Sequence, residues 1–382
     1  MAAGKRLVRL LLCLALLASP ALAAPRARDL GFAPGIFATG RLNAITDVEG
    51  VRVGHVTRIE GATLRSGVTA ILPHPGNPYA DKVPAGLAIA NGFGKFAGVA
   101  QIAELGEIET PILLTNTLSV PAATSALIDW TLALPGNADV KTVNPVVGET
   151  NDRDLNDIRA RRLTPADGLA SLAAAKAGPV AEGSVGAGTG TMAFGWKGGI
   201  GTSSRLLPAK LGNWRVGVLV QANFGGNLVM DGLRVGKRLG RYLLQDAAPA
   251  PRPDGSIIII IATDAPLSDR NLTRLARRSF AGLARTGAAF SNGSGDFALA
   301  FSTAEAVRRT AERRAAATMI ADLPNDLMTP LFMATAEATE EAILNALVAA
   351  TTVTRDPAGG EPGFVGEALG AERLKALQAK DD

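Results

Sequence analysis

The sequence predicts a layered α/β sandwich built on an internal sheet, in one large domain. Strand-like and helix-like stretches alternate along the chain without the strict β-α-β order of a doubly wound fold. Residues 257–261 are five consecutive isoleucines, β-branched and without polar alternation, as a strand buried on both faces requires. Apolar residues make up 47% of the 382-residue chain and aromatics only 4%, so its large core is made of Ala, Val, Leu and Ile. Forty-three glycines add many tight turns and close backbone approaches.

The first 23 residues read as a targeting segment. Lys5, Arg6 and Arg9 form a basic start, 10–17 an apolar run, and Ala21-Leu22-Ala23 a small-x-small cleavage pattern. The apolar run is too short to span a bilayer. The expectation is a cleaved signal peptide and a periplasmic or secreted protein, with no membrane attachment afterwards. Cys13 follows Leu12 rather than a small residue, which argues against a lipid-modified cysteine. It is the only cysteine, so the mature chain has no disulfide, thiol nucleophile or cysteine metal site. Three of the four net positive charges also leave with this segment, so the chain is not expected to bind nucleic acid. His55 and His74 alone cannot build a multi-histidine metal centre, and no metal is expected.

Residues 43–57 read as a turn and an alternating strand near 51–57. Short strands follow at 67–72 and 86–90, then a helix at about 96–105. The segment from Pro111 is a strand leading to a helix with Pro121 near its start. The segment from Asn144 is a strand ending in the polar cluster Gly148-Glu-Thr-Asn-Asp, and 165–176 is an Ala-rich helix. Residues 183–204 are glycine-rich strands and turns lining a pocket. They lack the Gly-Lys-Ser/Thr ending of a phosphate loop, because Lys197 precedes Gly198-Gly199-Ile200. Residues 214–224 form a strand ending at Asn223. A basic stretch at 227–245 leads into the Pro-rich tract 247–253, which cannot join a central sheet and reads as an exposed linker. After the isoleucine strand, Ser268 caps a helix with a stripe of Leu272, Leu275, Ala276, Phe280 and Leu283. Arg274, Arg277 and Arg278 lie on its solvated face. Residues 297–301 are a strand and 328–350 a long helix. The tail beyond Pro357 is polar and expected to be mobile.

Hydrolysis needs a nucleophile and a base. His55 sits in an apolar strand pattern, where a structural role is expected. His74 stands between two prolines and is expected to be exposed. Gly-x-Ser-x-Gly is absent; Gly293-Ser294-Gly295 comes closest, with the wrong spacing. An N-terminal serine removes the need for histidine, because its α-amine can act as the base. That amine has a reference pKa of roughly 7.7–8 against about 10.4 for lysine, so it is partly neutral near pH 7. Gly255-Ser256 lies where the Pro-rich linker meets the isoleucine strand. Attack of Ser256 Oγ on the Gly255 carbonyl, an N→O shift and hydrolysis of the ester would expose that amine. Glycine before the serine tolerates strained dihedrals. Gly183-Ser184, Gly201-Thr202 and Gly293-Ser294 are also Gly-Ser/Thr pairs, but none joins a linker to a buried strand. The alternative for Ser256 is an ordinary loop-to-strand junction.

The chain resembles the DmpA-type L-aminopeptidase/D-esterases and the related β-aminopeptidases, which are self-processing hydrolases with an N-terminal serine. The motifs that carry the resemblance are Asn43-Ala-Ile-Thr-Asp-Val…Val-Gly-His-Val-Thr, Gly148-Glu-Thr-Asn-Asp…Leu-Asn-Asp, Gly195-Trp-Lys-Gly-Gly-Ile-Gly-Thr-Ser-Ser-Arg, Val220-Gln-Ala-Asn-Phe-Gly, Gly255-Ser256 with Ala262-Thr-Asp-Ala-Pro-Leu, and Ser291-Asn-Gly-Ser-Gly-Asp. They occur in order over about 40–305. The resemblance implies an αββα-like sandwich, split into a chain of residues 24–255 and a chain of 256–382. It implies that Ser256 is the nucleophile, released by cleavage after Gly255, and that Asn223 is the oxyanion-hole donor. Ser294 and Asp296 would contact the amine and hydroxyl of Ser256. Some relatives carry Glu where this chain has the shorter Asp296. A turn-capping role is the alternative for Asn223, Ser294 and Asp296. Glu149 or Asp152 would bind the substrate's free amine, or cap a loop. Some relatives use a tyrosine near the oxyanion hole; neither Tyr79 nor Tyr242 can be matched to it.

The resulting expectation is a serine aminopeptidase acting on small peptides, amides or esters with a free amine. No metal or organic cofactor is needed, and a homo-oligomer, often a tetramer, is implied. Two other readings stand beside it. Ornithine acetyltransferases share the architecture, but use an N-terminal threonine. A non-catalytic periplasmic binding protein would stay as one intact chain.

Overall fold

A computed structural model describes residues 24–245 and 255–379. The expected signal segment and the Pro-rich tract through residue 254 lie outside the described residues.

In chain order the strands of the first part are β1 (Arg52–Glu60), β2 (Leu64–Leu72), β3 (Val83–Gly92), β4 (Phe96–Ala97), β5 (Glu107–Ile108), β6 (Ile112–Asn116) and β7 (Val146–Thr150). Helices α1 (Val99–Leu105), α2 (Val120–Leu132) and α3 (Pro165–Ala173) lie among and after them. Then come β8 (Met192–Ala193), β9 (Trp196–Lys197), β10 (Gly199–Leu206), β11 (Arg215–Asn223) and α4 (Val235–Arg238). Beyond the linker are β12 (Ser256–Thr263), α5 (Asp269–Arg285), β13 (Gly295–Ser302), α6 (Ala311–Arg314) and α7 (Thr329–Val348). The chain ends in β14 (Val353–Arg355), β15 (Phe364–Gly366) and α8 (Ala371–Gln378).

Two mixed sheets stack face to face. One has the order β1-β2-β6-β7-β4, the other β10-β11-β12-β13-β3-β5. Three buried clusters define four layers. Val68, Ala70, Leu113 and Val147 of the first sheet pack on Ala123, Ala126 and Leu127 of α2 and Leu172 of α3. Ile71, Ile112, Leu114 and Val146 meet Ile200, Leu219, Leu299 and Phe301 between the sheets. The outer face of the second sheet carries Leu272, Leu275 and Leu283 of α5 and Ile343, Leu344 and Leu347 of α7. The internal sheet read from the strand pattern is thus a pair of sheets, in the αββα-like layering that the resemblance implies.

The isoleucine run shows why it reads as doubly buried. Side chains alternate across a strand. Ile257, Ile259 and Ile261 enter the helix-side cluster, and Ile258 and Ile260 enter the cluster between the sheets. All five are fully buried. Ser268 caps α5 as expected, its Oγ accepting from Asn271 N. Arg277 is exposed. Arg278 is exposed as well and Arg274 is half-buried; both lie over the Phe332 ring of α7, with the guanidinium carbons 4.4 and 5.2 Å from its centroid.

Three expectations need correction. The helix expected at 96–105 begins only at Val99. Phe96-Ala97 pairs with β7, and Gly98, at φ 91°, makes the turn between them. His74 is buried, 2% exposed, with Nε2 2.8 Å from the Asp81 carbonyl and Nδ1 accepting from Gly76 N. The tail beyond Pro357 is folded. β14 and β15 form a hairpin, and Glu367 bridges Arg241 at 3.0 Å and Arg373 at 2.6 Å. Those two guanidinium groups also stack on Trp196, 3.6 and 4.5 Å from its ring centroid.

Candidate active site

Three strand ends of the second sheet converge beside a cavity of about 380 Å³. Asn223 closes β11 and is the register partner of Ser256, which opens the antiparallel β12. β13 runs parallel to β12, pairing Ile257 with Asp296. The sheet register alone therefore gathers Asn223, Ser256 and Asp296 at one edge.

Ser256 is 6% exposed, and its Oγ accepts from Gly295 N at 3.0 Å. Gly255 is not among the residues with positive φ. Glycine is required there for clearance: a Cβ would stand 1.5 Å from the Asn223 carbonyl oxygen. Close approach, not an unusual dihedral, explains this residue.

The Asn223 amide is pinned at both ends. Its Oδ1 accepts from Met192 N at 2.8 Å and its Nδ2 donates to the Asn151 carbonyl at 3.1 Å. One N–H remains on a side chain that lines the cavity. Ser294 Oγ donates to Asp296 Oδ1 at 2.5 Å. Burial pushes the Asp296 carboxyl up to about 6, opposed by the Ser294 hydroxyl and the Ile257 backbone N–H.

The two acids proposed for the substrate amine separate. Glu149 is the penultimate residue of β7 in the opposing sheet and lines the cavity. Its Oε1 accepts from Lys95 N at 2.7 Å and its Oε2 from the Thr117 hydroxyl. Burial raises its pKa, and those two bonds lower it. Asp152 is not in the cavity wall. It is 2% exposed and accepts from Ser66 Oγ at 2.6 Å and Asn156 Nδ2 at 3.0 Å. Burial pushes it up to about 7. It faces the buried Lys197, whose own pKa burial lowers to about 7. Lys197 Nζ is sealed on the carbonyls of Gly188 and Gly198, so it cannot reach a phosphate.

Neither His55, His74, Tyr79 nor Tyr242 lines the cavity. His55 Nδ1 sits 2.9 Å from Thr69 Oγ1, and burial lowers its pKa to about 4, so it serves the sheet.

Several contributors are absent from the sequence reading. Asn91 Nδ2 lies 2.7, 3.1 and 2.7 Å from the carbonyls of Ser291, Asn292 and Ser294, which fixes the turn that presents Ser294. A register shift between Asp296 and Phe297 lies beside this contact, a bulge of the kind that re-aims side chains near sites. Asn91-Gly92 was visible as a turn signal. Gly94 passes so near β13 that its Cβ would lie 2.9 Å from Gly295 Cα and 3.3 Å from Glu149 Oε1. That crossing holds the acid opposite the serine. Phe364 reaches the cavity from β15.

The site has a serine at a strand head, a pinned amide beside it, an acid of raised pKa behind it and a buried carboxylate across the cavity. Comparison with known proteins gives the same grouping. Residues 43–358 match the model of peptidase family S58. The beta-peptidyl aminopeptidase BapA of Sphingosinicella xenopeptidilytica is 42% identical over 363 residues, spanning 90% of this chain and 89% of that protein. A beta-aminopeptidase of Burkholderia sp. superposes with a TM-score of 0.83 at 42% identity, covering 93% of this chain and 99% of its own. The L-aminopeptidase D-Ala-esterase/amidase of Ochrobactrum anthropi, described as a prototype for the serine aminopeptidases and a new variant among the Ntn hydrolase fold, superposes with a TM-score of 0.83 at 36% identity. It covers 94% of this chain and 99% of its own. The chain belongs to peptidase family S58.

Proposed function

We propose that the protein is a serine aminopeptidase that makes its own nucleophile by cutting Gly255-Ser256. The observation that carries this reading is the meeting of Ser256, Asn223 and Asp296 at one sheet edge, with Glu149 across the cavity.

In the first step Ser256 Oγ attacks the Gly255 carbonyl, the peptide nitrogen leaves as the new α-amine, and water opens the ester. To Asp296, the register partner of Ile257, we assign the role of taking the serine proton in the uncut chain. In the mature enzyme the α-amine takes that proton instead. The substrate's ammonium pairs with Glu149, which sets its first carbonyl beside Ser256. Oγ attacks, and the Asn223 amide stabilises the charge forming on the carbonyl oxygen. The amine or alcohol leaves with the proton, and water releases the acyl group by the same route.

The two-chain state, residues 24–255 and 256–382, is part of this proposal. So is export, which rests on the charge and hydropathy pattern of 1–23. A tetrameric assembly rests on the family resemblance alone. The BapA relatives are named for β-peptides and the Ochrobactrum protein for L-aminopeptidase and D-Ala esterase/amidase activity. We infer the same substrate class here: short peptides, amides or esters with a small N-terminal residue. An acyltransferase would need an acceptor other than water, and a binding protein would need no pinned amide beside a serine.

Paired substrates test the amine requirement. A β-alanyl or D-alanyl p-nitroanilide should release p-nitroaniline, and its N-acetylated form should not. Equal release from both would remove Glu149 and the free amine from the reading.

A further inference from the structure

A second cavity, of about 640 Å³, adjoins the candidate active site. Arg153 and Asp154 stand in the walls of both, so this pair forms the ridge between them. The hairpin of β14 and β15 links the two as well. Arg355 and Phe364 are register partners across it, and residues directly opposite in an antiparallel pair share one face. Phe364 lines the first cavity and Arg355 the second.

The second cavity is rich in charge, and three of its four acids are engaged. Asp157 Oδ1 accepts from Ala160 N at 3.3 Å, Asp356 lies 3.8 Å from the Arg65 guanidinium, and Asp154 lies 4.0 Å from that of Arg153. Arg355 Nη2 donates to the Pro362 carbonyl at 2.9 Å. Its Nε is buried and has no hydrogen-bond partner. A buried guanidinium N–H without an acceptor is costly, and a carboxylate satisfies it in a two-pronged geometry. Arg159 shares the cavity. Glu361 also lines the wall, so an anion must be held by direct pairing to a guanidinium rather than by a net positive field.

We propose that this second cavity receives the leaving portion of a short peptide substrate, whose C-terminal carboxylate pairs with Arg355 and Arg159. The proposal rests on the aminopeptidase reading and adds to it a specificity for the far end of the substrate. With the amine on Glu149 and the carboxylate on Arg355, the enzyme measures peptide length. The hairpin then belongs to substrate recognition, and the chain's last segment joins the site it encloses.

The test is a series of peptides of two to five residues with one common N-terminal residue, each as free acid and as C-terminal amide. At the length that spans the ridge, the free acid should show a KM roughly tenfold below that of the amide, with similar kcat. Such a change reports binding shared by ground and transition states. Arg355→Met should bring the ratio of the two KM values close to one, and Arg355→Lys should keep part of it. Arg159→Gln, at an exposed position, should reduce the ratio without touching the hairpin. Equal KM for acid and amide at every length would overturn the subsite while leaving the aminopeptidase reading intact. A ratio unchanged in Arg355→Met and Arg159→Gln alike would do the same. No cleavage of any member by the wild-type protein would overturn both.

Discussion

Ser256 is held from both sides before any substrate arrives: Gly295 N donates to its hydroxyl, and Asn223 faces it across the ladder. Two bonds orient the Asn223 amide and leave one N–H on a side chain that lines the cavity. Asn223→Ala should lower kcat about 100–1,000-fold with a small change in KM, measured on a β-alanyl anilide. A loss below tenfold would make Asn223 a turn cap. Asp296 gives a pH prediction. Its pKa is raised to about 6 by burial, so the proton-accepting carboxylate is scarce below pH 6 and dominant above it. The rate of self-cleavage should therefore climb with pH through a midpoint near 6. Asp296→Asn should slow cleavage and remove that midpoint. Retention of the midpoint in Asp296→Asn would assign it to another group.

At this scale the sequence was informative where function sits in a short motif. Short motifs shared with the family singled out Ser256, Asn223, Ser294 and Asp296, and the sheet register gathers Ser256, Asn223 and Asp296 at one edge. Glu149 and Asp152 looked equivalent, because three residues of separation say nothing about which side chain faces the cavity. Burial and partners separate them: Ser66 and Asn156 hold Asp152, whereas Glu149 looks across at the serine. Asn91 was missed for a related reason, since its three carbonyl contacts lie about two hundred residues away.

Among the elements, β12 decides the fold, and its composition made that plain. Five isoleucines with no polar alternation fit only a strand covered on both faces. Ile258→Ala and Ile259→Ala open cavities in different clusters, between the sheets and under the helices. Each should destabilise an uncut Ser256→Ala protein by about 2–5 kcal/mol, read from urea midpoints at unchanged slope. A near-neutral Ile259→Ala would mean that the helix layer does not cover the sheet. The tail beyond Pro357 shows the opposite case. Its polarity suggested mobility, yet Gly366 packs so tightly that a Cβ would lie 2.7 Å from Leu155 Cδ1 and 2.9 Å from Met192 Sδ. The Arg241–Trp196–Arg373 stack with Glu367 closes over it. Order in this segment comes from contacts with residues 155–241, which no local composition displays. The αββα layering was similarly only half legible. Strand after strand could be read, but which strands shared a sheet depended on pairings such as β13 with β3.

In the whole molecule, the proposed cleavage site falls in the middle of a sheet shared by both parts of the chain. β10, β11 and β3 precede the Gly255-Ser256 bond, and β12 and β13 follow it. α7, from the second part, packs on β10 and β11 of the first. Backbone ladders and buried clusters therefore cross the cut, and the two fragments should co-elute in native gel filtration and separate only in denaturant. Fragments that part without denaturant would contradict the shared core. The proposed cut would leave β12 paired on both sides, with β11 and with β13.

The central claim is that one bond, Gly255-Ser256, is both maturation site and active site. Purified protein on a denaturing gel, with N-terminal sequencing of each band, tests it most directly. Two bands are expected, the smaller beginning at Ser256, and a single uncut, inactive band for Ser256→Ala. An intact wild-type chain that persists through long incubation, or a fragment with a different first residue, would contradict it.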